Sequence, residues 1–193
     1  MLTLSSRHQI AIAVLLALLM ILTRSHHFAS MHHLADASWA IFFLVGIYLR
    51  PVWSLPAFFA LSWWLDFAAY TWGGVSGFCL TPAYVFLLPA YGSLWLAGRW
   101  FAKRYQFGWR TAAPLAASSF LGLTLCELFS SGGFYFFSGR FADTTIAEFG
   151  TRLMTYFPLY AEAFATYLGI AIVLHSLFAY LSTPVDSHTP LIR

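Results

Sequence analysis

Charge is what this sequence has least of. Only 9% of its 193 residues are Asp, Glu, Lys or Arg, while 60% are hydrophobic and 20% are aromatic. A soluble domain cannot hide that much apolar surface, so an aqueous fold is excluded. Asn is missing altogether, and with it any N-glycosylation sequon. The two cysteines, Cys79 and Cys126, are too few to build a four-thiolate zinc site. No Gly-x-x-x-x-Gly-Lys loop occurs, so the chain cannot hydrolyse ATP by itself. Internal repeats, low-complexity tracts and blocks of like charge are also lacking, and one membrane domain over residues 1–193 accounts for the whole chain.

What is present is apolar helix. A transmembrane helix needs roughly 20 mostly apolar residues, and the charged and Gly/Pro clusters divide the chain into six such stretches: Ile10 to Thr23, Leu34 to Leu49, Val52 to Trp72, Leu80 to Phe101, Ala112 to Phe137 and Met154 to Leu181. The first, behind Arg7, also has the look of a signal peptide, but small residues do not frame a cleavage site near Ala29, and cleavage leaves five mismatched spans. The expected fold is therefore an all-α integral membrane bundle of six transmembrane helices.

Basic residues set the orientation, because basic loops stay in the cytoplasm. With both termini cytoplasmic, Arg7, Arg50, Arg99, Lys103, Arg104, Arg110 and Arg193 lie inside, against Arg24, Arg140 and Arg152 outside. The net charge of +3 is then an insertion signal, and nucleic acid is not an expected partner.

This topology gathers the unusual polar residues near the outer face. Asp66 lies about two thirds of the way outward along the third span, Glu127 in the outward part of the fifth and Glu162 early in the descending sixth. A carboxylate at the centre of a membrane helix costs roughly 2.5 to 3.5 kcal/mol on insertion scales, so each needs a partner or a wet cavity. Helix-tying and ligand binding are both open readings. The first outer loop, Arg24 to Asp36, carries His26, His27, His32 and His33. Imidazole is a common metal ligand, but histidines on a single loop are also ordinary interfacial residues, and His27 lies closest to the first span. Phe78, Tyr84, Tyr135 and their aromatic neighbours offer walls for a large, flat, partly apolar ligand as well as a membrane-interface belt.

Cys79 sits in the Gly-rich segment Gly73-Gly74-Val75-Ser76-Gly77-Phe78-Cys79-Leu80-Thr81-Pro82, between two spans. A thiol on such a loop has no core to fill and is placed to hold something soft, such as a metal. Cys126, inside the fifth span, reads as a small buried apolar residue. On the first helix, Ala13 and Ala17 lie four residues apart on one face, a pattern that permits close helix approach.

A six-helix membrane chain with Ala-x-x-x-Ala in its first helix and a small-ligand site on the outer face resembles the substrate-binding S-components of energy-coupling-factor (ECF) vitamin transporters. Within that group, the segment Gly77-Phe78-Cys79-Leu80-Thr81-Pro82, together with His27, Asp66 and Tyr84, is similar to the BtuM family of cobalamin S-components. The resemblance implies that Cys79 is an axial ligand of the cobalamin cobalt, with His27, Asp66 and Tyr84 lining the same pocket beside Phe78 and Tyr135. It implies that Ala13 and Ala17 dock on the transmembrane coupling protein of an ECF module, driven by two cytoplasmic ATPases, in a bacterial inner membrane. The cobalamin is cargo rather than a resident cofactor.

The chemistry of the group agrees with this reading. A corrin already supplies four equatorial nitrogens, so one axial thiolate is enough, and a soft sulfur suits cobalt. Ligation needs the deprotonated thiol, so affinity is expected to rise with pH. An electron-donating thiolate can also labilise the opposite axial group, and slow loss of cyanide from cyanocobalamin follows as an expectation, assisted by His27, Asp66 and Tyr84. Two other classes stay open on the residues alone: an S-component or carrier for another ligand, and a membrane metal or haem enzyme using His26, His27, His32 and His33.

Overall fold

The computed structural model describes residues 4–24, 35–74, 77, 81–106 and 108–181. Among them the chain is helical throughout: α1 (Ser6–Arg24), α2 (Ser38–Tyr48), α3 (Ser54–Trp72), α4 (Leu87–Arg104), α5 (Ala112–Phe137) and α6 (Ile146–Leu181), with 3-10 turns at Pro82–Phe86 and Trp109–Thr111. Three of these helices, α1, α5 with its leading turn, and α6, are long and apolar enough to cross a membrane.

The organising element is α2. It has 11 residues and ten of them are buried, because α1, α3, α4, α5 and α6 all pack around it. At 1.5 Å per residue it is only about 16 Å long, roughly half a bilayer's hydrocarbon core. Its neighbours satisfy the backbone at both ends: the Thr23 hydroxyl accepts the Ala37 N–H (3.3 Å), and the Arg99 guanidinium donates to the carbonyls of Leu49 (3.2 Å) and Arg50 (2.6 Å). Irregular backbone at membrane depth is tolerated where protein surrounds it.

Two glycines let α2 and α4 touch. A Cβ at Gly46 would collide with the carbonyl oxygen of Trp95, and one at Gly98 with that of Phe43. Each helix thus presses its backbone against the other at a small residue, the usual device for close helix packing in lipid.

The outer helices invert the pattern of a soluble protein. Along α1, Leu16, Met20 and Thr23 face inward, while Ile10, Leu15 and Leu22 are exposed. Along α6 only Phe164 is buried, and Val173, Leu177 and Phe178 point outward. An apolar outer surface over an apolar interior suits a hydrocarbon solvent.

Several expected boundaries move: α1 starts at Ser6 rather than Ile10, α2 covers Ser38–Tyr48 rather than Leu34 to Leu49, and two starts shift further. The fourth span, read as beginning at Leu80, begins instead with the 3-10 turn Pro82–Phe86, so Tyr84 lies in that turn and α4 starts at Leu87. Pro82 has no N–H to give and suits a first turn. The sixth helix starts at Ile146, eight residues ahead of the expected Met154, and takes Arg152 out of the loop expected over Ser138 to Arg152. Thr145-Ile-Ala-Glu148 is a capping sequence: the Thr145 hydroxyl accepts the Glu148 N–H at 3.2 Å. The Tyr135 hydroxyl completes it, accepting the Thr145 N–H (3.0 Å) and donating to the Glu148 carboxylate (3.0 Å). Polar residues in this first stretch hide the helix from hydropathy.

Candidate functional site

The densest polar cluster forms around Arg24, the last residue of α1. Its side chain is only 9% exposed. Nε and Nη2 donate to the two carboxylate oxygens of Asp66 on α3, both at 2.7 Å, in a bidentate fork. Nη1 donates to the Ser38 hydroxyl at the start of α2 (2.7 Å) and to the Tyr91 hydroxyl on α4 (3.0 Å). Four helices are joined by one guanidinium, whose rigid five-donor plane matches this demand where a lysine would not.

Two further groups complete the cluster. The Tyr84 hydroxyl donates to Asp66 Oδ2 at 2.8 Å. Asp36 accepts from the Ser38 backbone N–H (2.9 Å) and hydroxyl (2.6 Å), and its other oxygen lies 3.9 Å from Arg24. Tyr91 is held in turn by stacking on Phe42, with ring centroids 4.2 Å apart. Asp66 therefore has three hydrogen bonds in a part-buried setting, which removes the insertion penalty an unpaired carboxylate carries.

The described residues beside Cys79 are tied to the same end of α3. Gly74, with φ of 67°, lets the chain leave α3 in a left-handed conformation that favours glycine. Gly77 packs on the Tyr70 ring, and its carbonyl accepts from Arg140 at 3.2 Å. On the other side, Thr81 opens the turn that carries Tyr84, its carbonyl accepting the Tyr84 N–H at 2.9 Å. His27, Phe78 and Cys79 themselves lie outside the described residues, as do His26, His32 and His33. Among the described residues no three His, Cys, Asp or Glu side chains converge.

The remaining expected residues are placed as follows. Asp66 and Tyr84 are brought together. Tyr135 is buried in another aromatic group, stacked with Phe149 at 5.8 Å, with Arg152 lying 5.6 Å from its ring centre. Its hydroxyl bonds Thr145 and Glu148 rather than Asp66 or Tyr84. Ala13 and Ala17 are half-buried against the protein's own core, at the border of the exposed stripe of α1. Cys126 is free and fully buried. Glu127 is buried and accepts the Ser131 hydroxyl at 2.6 Å through one oxygen, while its other oxygen has no hydrogen-bond partner among the described residues. Glu162 is exposed on α6.

Sequence reasoning counted Arg24 only as a loop charge and missed Asp36, Ser38 and Tyr91. The one signal for Arg24 was a lone cation directly after an apolar helix. Its pairing with Asp66 spans 42 residues and leaves no periodic trace. A comparison with family models finds no match for the chain, and a comparison with curated proteins finds none either.

Proposed function

We propose that this chain is the cobalamin-binding S-component of an ECF-type importer, a six-span bundle in a bacterial cytoplasmic membrane with both termini inside and the ligand site facing outward. The carrying observation is the Arg24–Asp66–Tyr84 cluster, built where the segment bearing Cys79 is anchored. It unites the end of α1, the start of α2, the late part of α3 and the approach to α4, which alternating passes put on one side. In the six-span reading that side holds three of the chain's ten basic residues and the opposite side seven, a bias that supports this orientation.

In this reading Cys79 supplies an axial sulfur to cobalt, soft donor to soft centre, and the corrin needs nothing more from the protein for coordination. The corrin periphery bears amide groups that both donate and accept hydrogen bonds. Asp66, 27% exposed, and the Tyr84 hydroxyl oxygen offer acceptors to those amides, with the buried Arg24 holding Asp66 in place, and Phe78 and His27 are the further contacts that the resemblance implies. Arg24 orients Asp66, and Asp66 orients Tyr84, so this cluster needs little reorganisation on binding. Where the cargo carries cyanide opposite the sulfur, the thiolate pair enters one axial position and cyanide leaves from the other with its own pair. The oxidation state of cobalt does not change. Ala13 and Ala17 would meet the coupling protein through their exposed portions, and the motor's ATPases drive release inward.

The test is spectroscopic. Purified full-length protein incubated with cyanocobalamin should remain coloured after desalting and show a shifted visible spectrum, and Cys79→Ala should lose the shift. A normal free-cobalamin spectrum with the native protein, or an identical shift in Cys79→Ala, rejects the proposal.

A further inference from the structure

The opposite end of α2 carries a second polar cluster, at a cavity of about 450 Å³ between α2, α4, α5 and α6. That volume falls within the roughly 300–1,000 Å³ of small-molecule pockets. Leu44, Phe101, Leu115 and Leu168 make most of its wall apolar. Its polar groups converge on His175 of α6: the Tyr48 hydroxyl lies 3.2 Å from Nδ1 and the Tyr105 hydroxyl 2.9 Å from Nε2.

Proton counting leaves this trio incomplete. A neutral imidazole has one N–H and one bare nitrogen, so one tyrosine donates to it and the other accepts from it. The accepting tyrosine still has its own phenol proton, whichever tautomer His175 adopts. A half-buried donor of this kind is costly without an acceptor.

The described charged residues nearest the cavity along α4 and the turn after it are all basic. Lys103 and Arg104 end α4 beside Tyr105, and Arg110 lies between two cavity residues, Trp109 and Thr111. All three basic residues are exposed, and no Asp or Glu occurs between Asp66 and Glu127. Trp109, 94% exposed, is the kind of residue found at a headgroup boundary.

We propose that this cavity binds an anionic glycerophospholipid. One acyl chain lies among Leu44, Leu115 and Leu168, an ester carbonyl accepts the spare phenol proton, and the phosphate faces Lys103 and Arg110. Basic pockets between membrane helices are established sites for such headgroups. The proposal does not depend on what the Asp66 end binds.

Delipidated full-length protein titrated with dioleoyl phosphatidylglycerol, dioleoyl phosphatidylcholine and oleate, read by native mass spectrometry, tests it. Phosphatidylglycerol should bind one per chain and at least tenfold more tightly than phosphatidylcholine. Lys103→Gln and Arg110→Gln should each weaken it about fivefold, and the pair Tyr48→Phe with Tyr105→Phe about threefold. Ala171→Trp, which fills the cavity, should abolish binding. If that variant does not fold, the exposed charge variants still decide. Equal affinity for the two phospholipids, oleate binding more tightly than either, or affinity unchanged by the charge substitutions would overturn the proposal.

Discussion

Removing Asp66 should strip the buried Arg24 guanidinium of its fork partner, and the cost can be worked from the contacts. In Asp66→Ala, two 2.7 Å charge-assisted bonds and the 2.8 Å bond from Tyr84 disappear together. Breaking a buried ion pair from one side costs about 3–5 kcal/mol. Asp66 is 27% exposed while Arg24 is 9% exposed, so water reaches the pair from the Asp66 side and the lower figure applies, about 3 kcal/mol. For a chain of this size that is a fall of about 6–12 °C in Tm. The double variant Arg24→Met with Asp66→Leu removes both charges and should lie within about 2 kcal/mol of the native protein, because no charge is left buried without its partner. Thermal unfolding in detergent of Asp66→Leu, Arg24→Met and the double variant, with size-exclusion to check that each is folded, gives the values needed for the cycle. A loss below about 1 kcal/mol in Asp66→Ala, or a double variant whose loss equals the sum of the singles, would refute the reasoning.

Other substitutions probe the frame around the site. Gly46→Leu and Gly98→Leu should each prevent α2 and α4 from closing and sharply reduce folded yield, whereas Gly92→Ala, with open space around it, should be neutral or gain up to about 1 kcal/mol, as monodisperse yield and Tm will show. Tyr135→Phe should cost about 1–2 kcal/mol and speed amide exchange at residues 145–149, since both hydroxyl bonds at the start of α6 vanish; unchanged exchange there would contradict the role assigned to that hydroxyl. Glu127→Gln should leave Tm unchanged or raise it, because Gln keeps an acceptor for Ser131 and removes a buried acid whose second oxygen has no partner among the described residues. A fall of more than about 2 kcal/mol would mean that the acid has a partner of its own.

The helices were legible because lipid-facing helix is written in composition: α3 and α5 lie within two residues of where the apolar stretches predict them, and α1 adds one polar turn, Ser6 to Gln9, ahead of its apolar stretch. The start of α6 was not, because Glu148, Thr151 and Arg152 break the apolar run while a cap at Thr145 sets the boundary. The need of Asp66 for a partner could be argued from the price of burying a charge. The partner's identity could not, because Arg24, Ser38 and Tyr91 meet only once α1, α2, α3 and α4 are packed. The His175 trio was invisible for the same reason: a lone histidine in an apolar helix becomes informative only when Tyr48 and Tyr105 close on both its nitrogens.

The central claim is a bond between Cys79 and the metal of a corrinoid, and X-ray absorption at the cobalt edge reads it directly. In the protein–cobalamin complex the expected spectrum contains one sulfur scatterer in the first coordination shell, absent in Cys79→Ser. A first shell of nitrogen, oxygen and carbon alone, in native protein that demonstrably retains cobalamin, would contradict the account.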